Sequence, residues 1–198
     1  MNDAADKATV VAAIPSNKAT NYSGSGSTTP DVEAIAMPAA LQTVASLQAL
    51  VNTIESNANQ ILTGPVTSIP NPGTATSPQI IVVNGDLSLN SSAATGYGLL
   101  LVTGTFSACG STGWNGIVMV IGKGIVSGCG GGSNQFTGAM VVAQIVNPTT
   151  GQPLSTLGAP TFNWSGGGGN GIFYSSGCIN QASNLYAYKI IASHELLD

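Results

Sequence analysis

The sequence predicts a mainly β protein, a right-handed parallel β-solenoid with one flanking or capping α-helix. Three observations predict this fold. Between residues 56 and 188 the 198-residue chain has only two charged side chains, Asp86 and Lys123. Short apolar runs ending in glycine recur in that stretch, and two cysteine-containing segments repeat at a matching interval. Short coils that bury their apolar side chains only by stacking on one another account for all three.

The composition places the chain among folded proteins and away from nucleic-acid binders. Charged residues make up 6% of the chain, hydrophobic residues 43%, and the net charge is -4. Disordered chains combine low hydrophobicity with high net charge, so a low charge does not indicate disorder. The four lysines are scattered and arginine is lacking, so we expect no surface that follows nucleic-acid phosphates. Columns of Asn, Ser and Thr suit a stacked β-structure, because like charges in such columns would repel.

Residues 1–37 are expected to form an extended or flexible N-terminal segment. A short apolar patch at residues 9–14 is followed by a Gly/Ser/Thr-rich stretch at residues 23–29, which is typical of a connection between ordered elements.

Residues 38–64 are expected to form a capping helix. Pro38 suits a first helical position, and Gly64-Pro65 ends the pattern. Its apolar residues recur at steps of three and four: Leu41, Val44, Leu47, Val51, Ile54, Ala58 and Ile61. The stripe covers an open end or flank of the β-domain, or else it binds a partner.

Residues 65–198 are expected to form the β-solenoid. Residues 80–85, 99–104 and 117–122 are three copies of one apolar pattern, and their final glycines are 19 and 18 residues apart. A fourth copy at residues 139–143 lacks the glycine. Small turns that end in Gly98, Gly116 and Gly138 are expected before the copies, and residues 172–174 are expected to form another strand.

The cysteines support the same register. Aligning residues 105–109 with residues 125–129 places Cys109 above Cys129 at an offset of 20. Neighbouring coils would bring the two Cα atoms to about 5 Å, within the range for a disulfide. The pair therefore forms a disulfide or remains as two buried thiols, with Cys178 left over. No zinc site is expected, because no Cys-x-x-Cys pair occurs and His194 is not at ligand spacing.

Several segments, distributed over nearly the whole chain, carry a resemblance to a known family. These segments are residues 15–17, 21–24, 41–43, 82–87, 96–98, 114–117 and 162–172. In them the chain resembles the ectodomain of PilX-like, type IV pilus-associated surface proteins of acidobacteria. The resemblance implies an exported bacterial surface domain with pilus or other surface components as partners, and it transfers no catalytic residue.

Proteins of that family usually carry an N-terminal membrane anchor. Residues 1–7 lack a basic end followed by an apolar stretch, so we expect that an export signal or anchor has been removed from this chain. The expected location is extracellular, on a bacterial cell surface.

The candidate ligand-binding residues are Trp114, Trp164, Asn115 and Asn163. Exposed aromatic rings beside amides form a workable surface for neutral glycans. The alternative is that the rings cap the ends or corners of the core. The glycine pattern ending at Gly171 formally matches a dinucleotide fingerprint, but the residues after it predict a strand and not the required helix.

The sequence offers too few ionisable groups for catalysis. His194 lies in the last few residues and no nucleophile-elbow motif accompanies it. Asp86 lacks a partner carboxylate for glycoside hydrolysis, and Lys123 alone cannot perform a lyase reaction. The prediction is a non-enzymatic structural or adhesive module without cofactor or metal. Self-association into a homo-oligomer through an open solenoid end is a further expectation.

Three alternative functions stay open: a neutral-glycan-binding module, an ice-binding β-solenoid and a polysaccharide-active enzyme. Ice binding requires a regular column of threonines. Thr103 and Thr105 supply one row of such a column, but the aligned Ile121 and Lys123 interrupt it.

Overall fold

The structure is a computed structural model that describes residues 4–24, 26–90, 95–129, 134–164 and 171–195. It divides into two units, Met1–Gln42 and Thr43–Asp198. The first unit contains helix α1 (Ala4–Ala13) and two short 3-10 helices, Ser16–Asn21 and Ala39–Leu41.

The first unit is more structured than the extended segment that the sequence predicts. Half of the ten residues of α1 are alanine, the residue with the highest helix propensity, which favours a helix over an extended segment. The following Gly/Ser/Thr stretch forms a closed loop, because Asp31 N donates to Tyr22 O at 2.7 Å and Gly26 N donates to Asp31 Oδ2 at 2.8 Å.

Helix α2 (Val44–Ser56) is shorter than the predicted helix over residues 38–64. A capping box fixes its start, since Ser46 N donates to Thr43 Oγ1 at 3.0 Å and Thr43 N donates to Ser46 Oγ at 3.1 Å. The helix buries Leu47, Val51 and Ile54 and packs against strand β2 (Gln79–Asn84). Residues 60–63 belong instead to a strand that pairs with β2, so the predicted stripe ran past the end of the helix.

In the described part of the chain, ten strands form two parallel sheets. The strands are β1 (Gln60–Thr63), β2, β3 (Leu87–Asn90), β4 (Gly96–Val102), β5 (Thr105–Cys109), β6 (Gly113–Gly122), β7 (Ile125–Cys129), β8 (Gln135–Gln144), β9 (Thr161–Trp164) and β10 (Gly171–Tyr174). The first sheet has the order β1-β2-β4-β6-β8-β10 and the second has the order β3-β5-β7-β9. Because the chain alternates between the sheets and every pairing within them is parallel, the fold is a β-solenoid of about four turns, as predicted.

The predicted repeat is confirmed residue by residue. Ile80 pairs with Leu99, Leu99 with Ile117, and Ile117 with Ala139, so each apolar copy lies on the next. Between the sheets the side chains form one continuous core: Ile81, Val83, Leu87, Leu89, Leu100, Val102, Phe106, Ala108, Trp114, Val118, Val120, Val126 and Phe136. The predicted strand at residues 172–174 is confirmed as part of β10.

The glycine turns that the sequence predicts before each copy are wrong. Gly98, Gly116 and Gly138 lie inside β4, β6 and β8 and pair with one another across the first sheet. Their φ angles are 113°, 135° and 138°, and a Cβ on Gly116 or Gly138 would collide with the carbonyl oxygen of the glycine one coil earlier. Only glycine fits this column, because the backbones approach too closely for a side chain.

Helix α3 (Ser176–Glu195) was not predicted. Ser175 precedes it and accepts a hydrogen bond from Cys178 N at 3.3 Å, which helps to start the helix. The helix packs against β2, β4, β6 and β8, and the apolar residues of β2 and β4 are buried on both faces of the first sheet. No helix among the described residues is long and apolar enough to cross a membrane.

Candidate functional site

Trp114 belongs to the core, so its prediction as a ligand-binding residue is wrong. Its side chain is 1% exposed, and the indole Nε1 donates to Gly98 O at 2.9 Å. The ring occupies the space above Gly96, where a Cβ would collide with it. Trp114 points inward because it has the same parity along β6 as Val118 and Val120, which also face the core.

Trp164 lies at the last coil of the stack. Its ring is 5.4 Å from Phe136 in an edge-to-face arrangement, and it stacks on Phe162 at 5.9 Å. Phe136 in turn meets Phe106 edge-on at 5.7 Å. The rings therefore form a ladder through the core that ends in Phe162, which is 43% exposed, so these rings do cap the end of the core.

The two candidate asparagines lie on different sheets. Asn163 is exposed on β9, where it pairs with Ser127 of the second sheet. Asn115 is half-buried on β6 of the first sheet, between Tyr97 on β4 and Thr137 on β8. The four predicted ligand-binding residues therefore do not form one site.

Asn115 lines a polar cleft of about 310 Å³ on the first sheet. The row Tyr97, Asn115 and Thr137 forms one part of it, and all three side chains are half-buried. The described lining residues are uncharged: Thr95, Tyr97, Ser111, Thr112, Gly113, Asn115, Gln135 and Thr137. Sequence reasoning missed Tyr97 and Thr137 as partners of Asn115, although the register of the copies 18 and 22 residues away would have aligned them.

The rim of the cleft is fixed by Asn134, whose side chain is buried. Its Oδ1 accepts hydrogen bonds from Thr112 N at 3.2 Å and from Thr112 Oγ1 at 3.1 Å. Its Nδ2 lies 3.3 Å from Ala108 O and from Cys129 O, to both of which it donates. One amide thus holds two corners of adjacent coils together, the β5–β6 corner and the β7–β8 corner, and residues 112 and 135 have defined positions as a result.

Four polar side chains that line the cleft have no hydrogen-bond partner in the part of the chain that the structure describes. Among the described residues, the side chains of Tyr97, Asn115, Gln135 and Thr137 donate to and accept from no other group. Their phenol, amide and hydroxyl groups are therefore available to a molecule in the cleft, as donors and as acceptors.

A second cleft, of about 320 Å³, lies between α2 and the carboxyl ends of the first sheet's strands. Gln48, Val51 and Glu55 of the helix line one side, and Asn84 and Thr103 belong to the strand ends opposite. Glu55 is the only charged group among its described lining residues, so this cleft offers no acid–base pair.

Asp86 and Lys123 form an ion pair at the corners of the coils. Asp86 Oδ1 lies 3.0 Å from Lys123 Nζ and accepts a hydrogen bond from Thr105 N at 2.8 Å. The Thr105 hydrogen bond, and secondarily Lys123, lower the pKa of the Asp86 carboxyl. In the described part of the chain no three His, Cys, Asp or Glu side chains come together as a metal site.

Cys109 and Cys129 are joined by a disulfide between β5 and β7, with their Cα atoms 4.7 Å apart. The register pairs the two residues directly, as the offset of 20 predicts. Both residues have the parity of Ser107 and Ser127, so the bridge lies on the outer face of the second sheet. Cys178 is the free cysteine.

Comparisons with protein-family models, with curated proteins and with solved structures found no match for this chain.

Proposed function

We propose that this chain is a non-enzymatic structural or adhesive module of an exported bacterial surface protein. The observation that carries the proposal is the last coil. In the described residues β9 pairs with β7 alone and β10 with β8 alone, so each strand has one open edge. Large apolar side chains are exposed there: Phe162, Ile172, Phe173 and Tyr174, the last at 80%. Open edges and exposed apolar groups together mark a surface that associates with another chain.

The first coil is built differently. Residues 64–78 contain four prolines, which cannot donate backbone hydrogen bonds. Gln60 Nε2 donates to Asn71 O at 2.5 Å, and Val66 forms a bridge to Leu87 and packs on the core. β1 also has one open edge, but the prolines and the packed Val66 limit association at this end. We therefore expect a second copy to meet the chain through its own last coil, which gives a two-fold dimer.

Two features support export to the cell surface. Disulfides form and persist in oxidising compartments, and the Cys109–Cys129 bridge ties neighbouring coils together. The resemblance to PilX-like surface proteins favours the same location and adds pilus or other surface components as partners.

The contacts of Asp86 favour a structural role for this carboxylate over a catalytic one. A general acid works best with a pKa near the operating pH, whereas the pKa of Asp86 is lowered by groups that hold its carboxylate. A polysaccharide-active enzyme would need such a group free to exchange a proton with substrate.

Ice binding is also less well supported than adhesion. On the outer face of the second sheet, one column contains Ser88, Ser107, Ser127 and Asn163. The adjacent column places Ile125 between Thr105 and Thr161. A regular threonine column is therefore lacking on the four described strands of this sheet.

The proposal is tested by sedimentation velocity over a range of protein concentrations, together with retention of the protein on coated surfaces. We expect concentration-dependent dimers that Phe162→Glu converts to monomers, because a carboxylate at the joined edges is costly to bury. Ile61→Glu is the matched control, since Ile61 is 54% exposed on β1 at the opposite end of the stack. A protein that stays monomeric at all concentrations and adheres to no surface would overturn the proposal, as would dissociation by Ile61→Glu alone.

A further inference from the structure

We infer that the cleft lined by Tyr97, Asn115 and Thr137 is a binding site for a neutral saccharide. The inference rests on the proposed adhesive function and names the ligand class that one of its surfaces takes. The site differs from the candidate surface built on the two tryptophans, because Trp114 is buried and Trp164 closes the end of the core.

The position of the row explains why it remains open. Tyr97, Asn115 and Thr137 precede the glycine column Gly98, Gly116 and Gly138 by one residue in each strand. Beyond that column the same strands become apolar and pack against α3. The polar row is therefore the part of this sheet face where uncharged hydrogen-bonding groups replace the apolar ones.

The floor of the cleft is rigid. At the glycine column each backbone lies so close to the next that no Cβ fits, and Trp114 Nε1 holds Gly98 O from the core side. Asn134 fixes Thr112 at the rim. Groups on a rigid floor lose little conformational entropy when they bind a ligand.

The chemistry of the lining selects the ligand. The described lining residues carry no charge, so an ionic ligand would lose its hydration without gaining a counter-charge. The available groups are two amides, a phenol and several hydroxyls, which both donate and accept hydrogen bonds. A neutral sugar matches them, because its hydroxyls do the same and its ring offers an apolar face to Tyr97.

The volume of about 310 Å³ lies at the lower end of the range for small-molecule sites, so the cleft suits one or two sugar rings. A longer glycan would extend beyond it. Binding of this kind is weak for a single site and becomes useful for adhesion when several copies act together.

The test is a glycan array that displays neutral and acidic oligosaccharides, probed with the full chain and followed by calorimetric titration of the best neutral glycan. We expect binding that is insensitive to salt and that weakens about tenfold in Asn115→Ala and in Thr137→Val, since each variant removes hydrogen bonds to the ligand. Asn163→Ala is the matched control, because it removes an exposed amide from the other sheet and leaves affinity unchanged. Thermal unfolding of each variant checks that it is folded.

Three results would overturn the inference. The unaltered protein could bind no neutral glycan, it could prefer acidic glycans, or Asn115→Ala and Thr137→Val could bind the glycan as tightly as the unaltered protein does. The proposed adhesive function fails on a different result: the unaltered chain forms no dimers and is not retained on surfaces. Phe162→Glu distinguishes the two, since Phe162 is exposed at the last coil on β9 of the second sheet and does not line the cleft.

Discussion

Lys123 Nζ lies 3.0 Å from Asp86 Oδ1, so the only two charged side chains between residues 56 and 188 are paired with each other. They are 37 residues apart, which is two coils. Thr105 of the intervening coil donates its backbone N–H to the same carboxylate oxygen. The pair and Thr105 therefore link three successive corners of the stack. The two charges of an otherwise uncharged solenoid lie where they hold neighbouring coils in register.

This arrangement predicts a pH dependence of stability. The pKa of Asp86 is lower in the folded protein than in the unfolded chain, so its contribution is present above the unfolded value of about 3.9 and is lost as the pH falls through the folded value. Asp86→Asn should lower the free energy of unfolding at pH 7 by under about 1 kcal/mol, because the side chains of Lys123 and Asp86 are 31% and 48% exposed. Urea denaturation at pH 7 and pH 3 measures the difference.

The difference between the unaltered protein and Asp86→Asn should shrink at pH 3. In Lys123→Ala the Thr105 hydrogen bond remains, so part of the pH dependence should persist. An Asp86→Asn variant as stable as the unaltered protein at both pH values would show that the corner contributes nothing.

The glycine column predicts a large and local effect of an added methyl group. Gly116→Ala combines a φ of 135° with a collision between the new Cβ and Gly98 O, and we expect a loss of about 3 kcal/mol or more. Gly151→Ala is the control, because Gly151 has a φ of 72° but no heavy atom within 4 Å of the added Cβ. Its cost should be about 1 kcal/mol, from backbone conformation alone. Equal losses in the two variants would mean that the strands are not tightly apposed at Gly116.

Much of the fold was predictable because stacking coils impose a register on the sequence. The apolar copies that begin at Ile80, Leu99 and Ile117 align at nearly constant spacing, and the cysteines align with them. Glycine was ambiguous, since a turn and a close approach of two backbones both require it, and Gly98 and Gly116 proved to be the second case. The right-handed winding stays a prediction.

The helices and the site were less predictable. The apolar stripe of α2 continues by chance into Ile61 of β1, so the helix predicted from the sequence was too long. The unbroken apolar runs of β2 and β4 are buried on both faces, and the sequence did not show that α3 supplies part of the cover. Trp114 and Asn115 are adjacent, so one faces the core and the other the cleft, and their assignment needed the strand parity.

The disulfide predicts a redox-dependent stability. Cys109 and Cys129 close a loop of 20 residues, and such a bridge stabilises by about 3 kcal/mol, mainly by restricting the unfolded chain. Cys109→Ser with Cys129→Ser should lower the melting temperature by several degrees and abolish its sensitivity to reductant. Cys178→Ser, the free-cysteine control, should leave both unchanged. Retained sensitivity to reductant in the double variant would contradict the assignment of the bridge.

Substitution by phenylalanine should cost much more stability at Trp114 than at Trp164. Trp114→Phe leaves Gly98 O without its indole donor and leaves a void in the core, so we expect a loss of about 2 to 4 kcal/mol. Trp164→Phe retains an aromatic ring against Phe136 at the open end and should cost under about 1 kcal/mol. Denaturant unfolding measures both costs, and acrylamide quenching of each single-tryptophan variant reports exposure independently. Strong quenching of Trp114, or a larger loss of stability in Trp164→Phe than in Trp114→Phe, would mean that Trp114 lies at the surface. The parity of β6, on which the cleft depends, would then be the reverse of the one described.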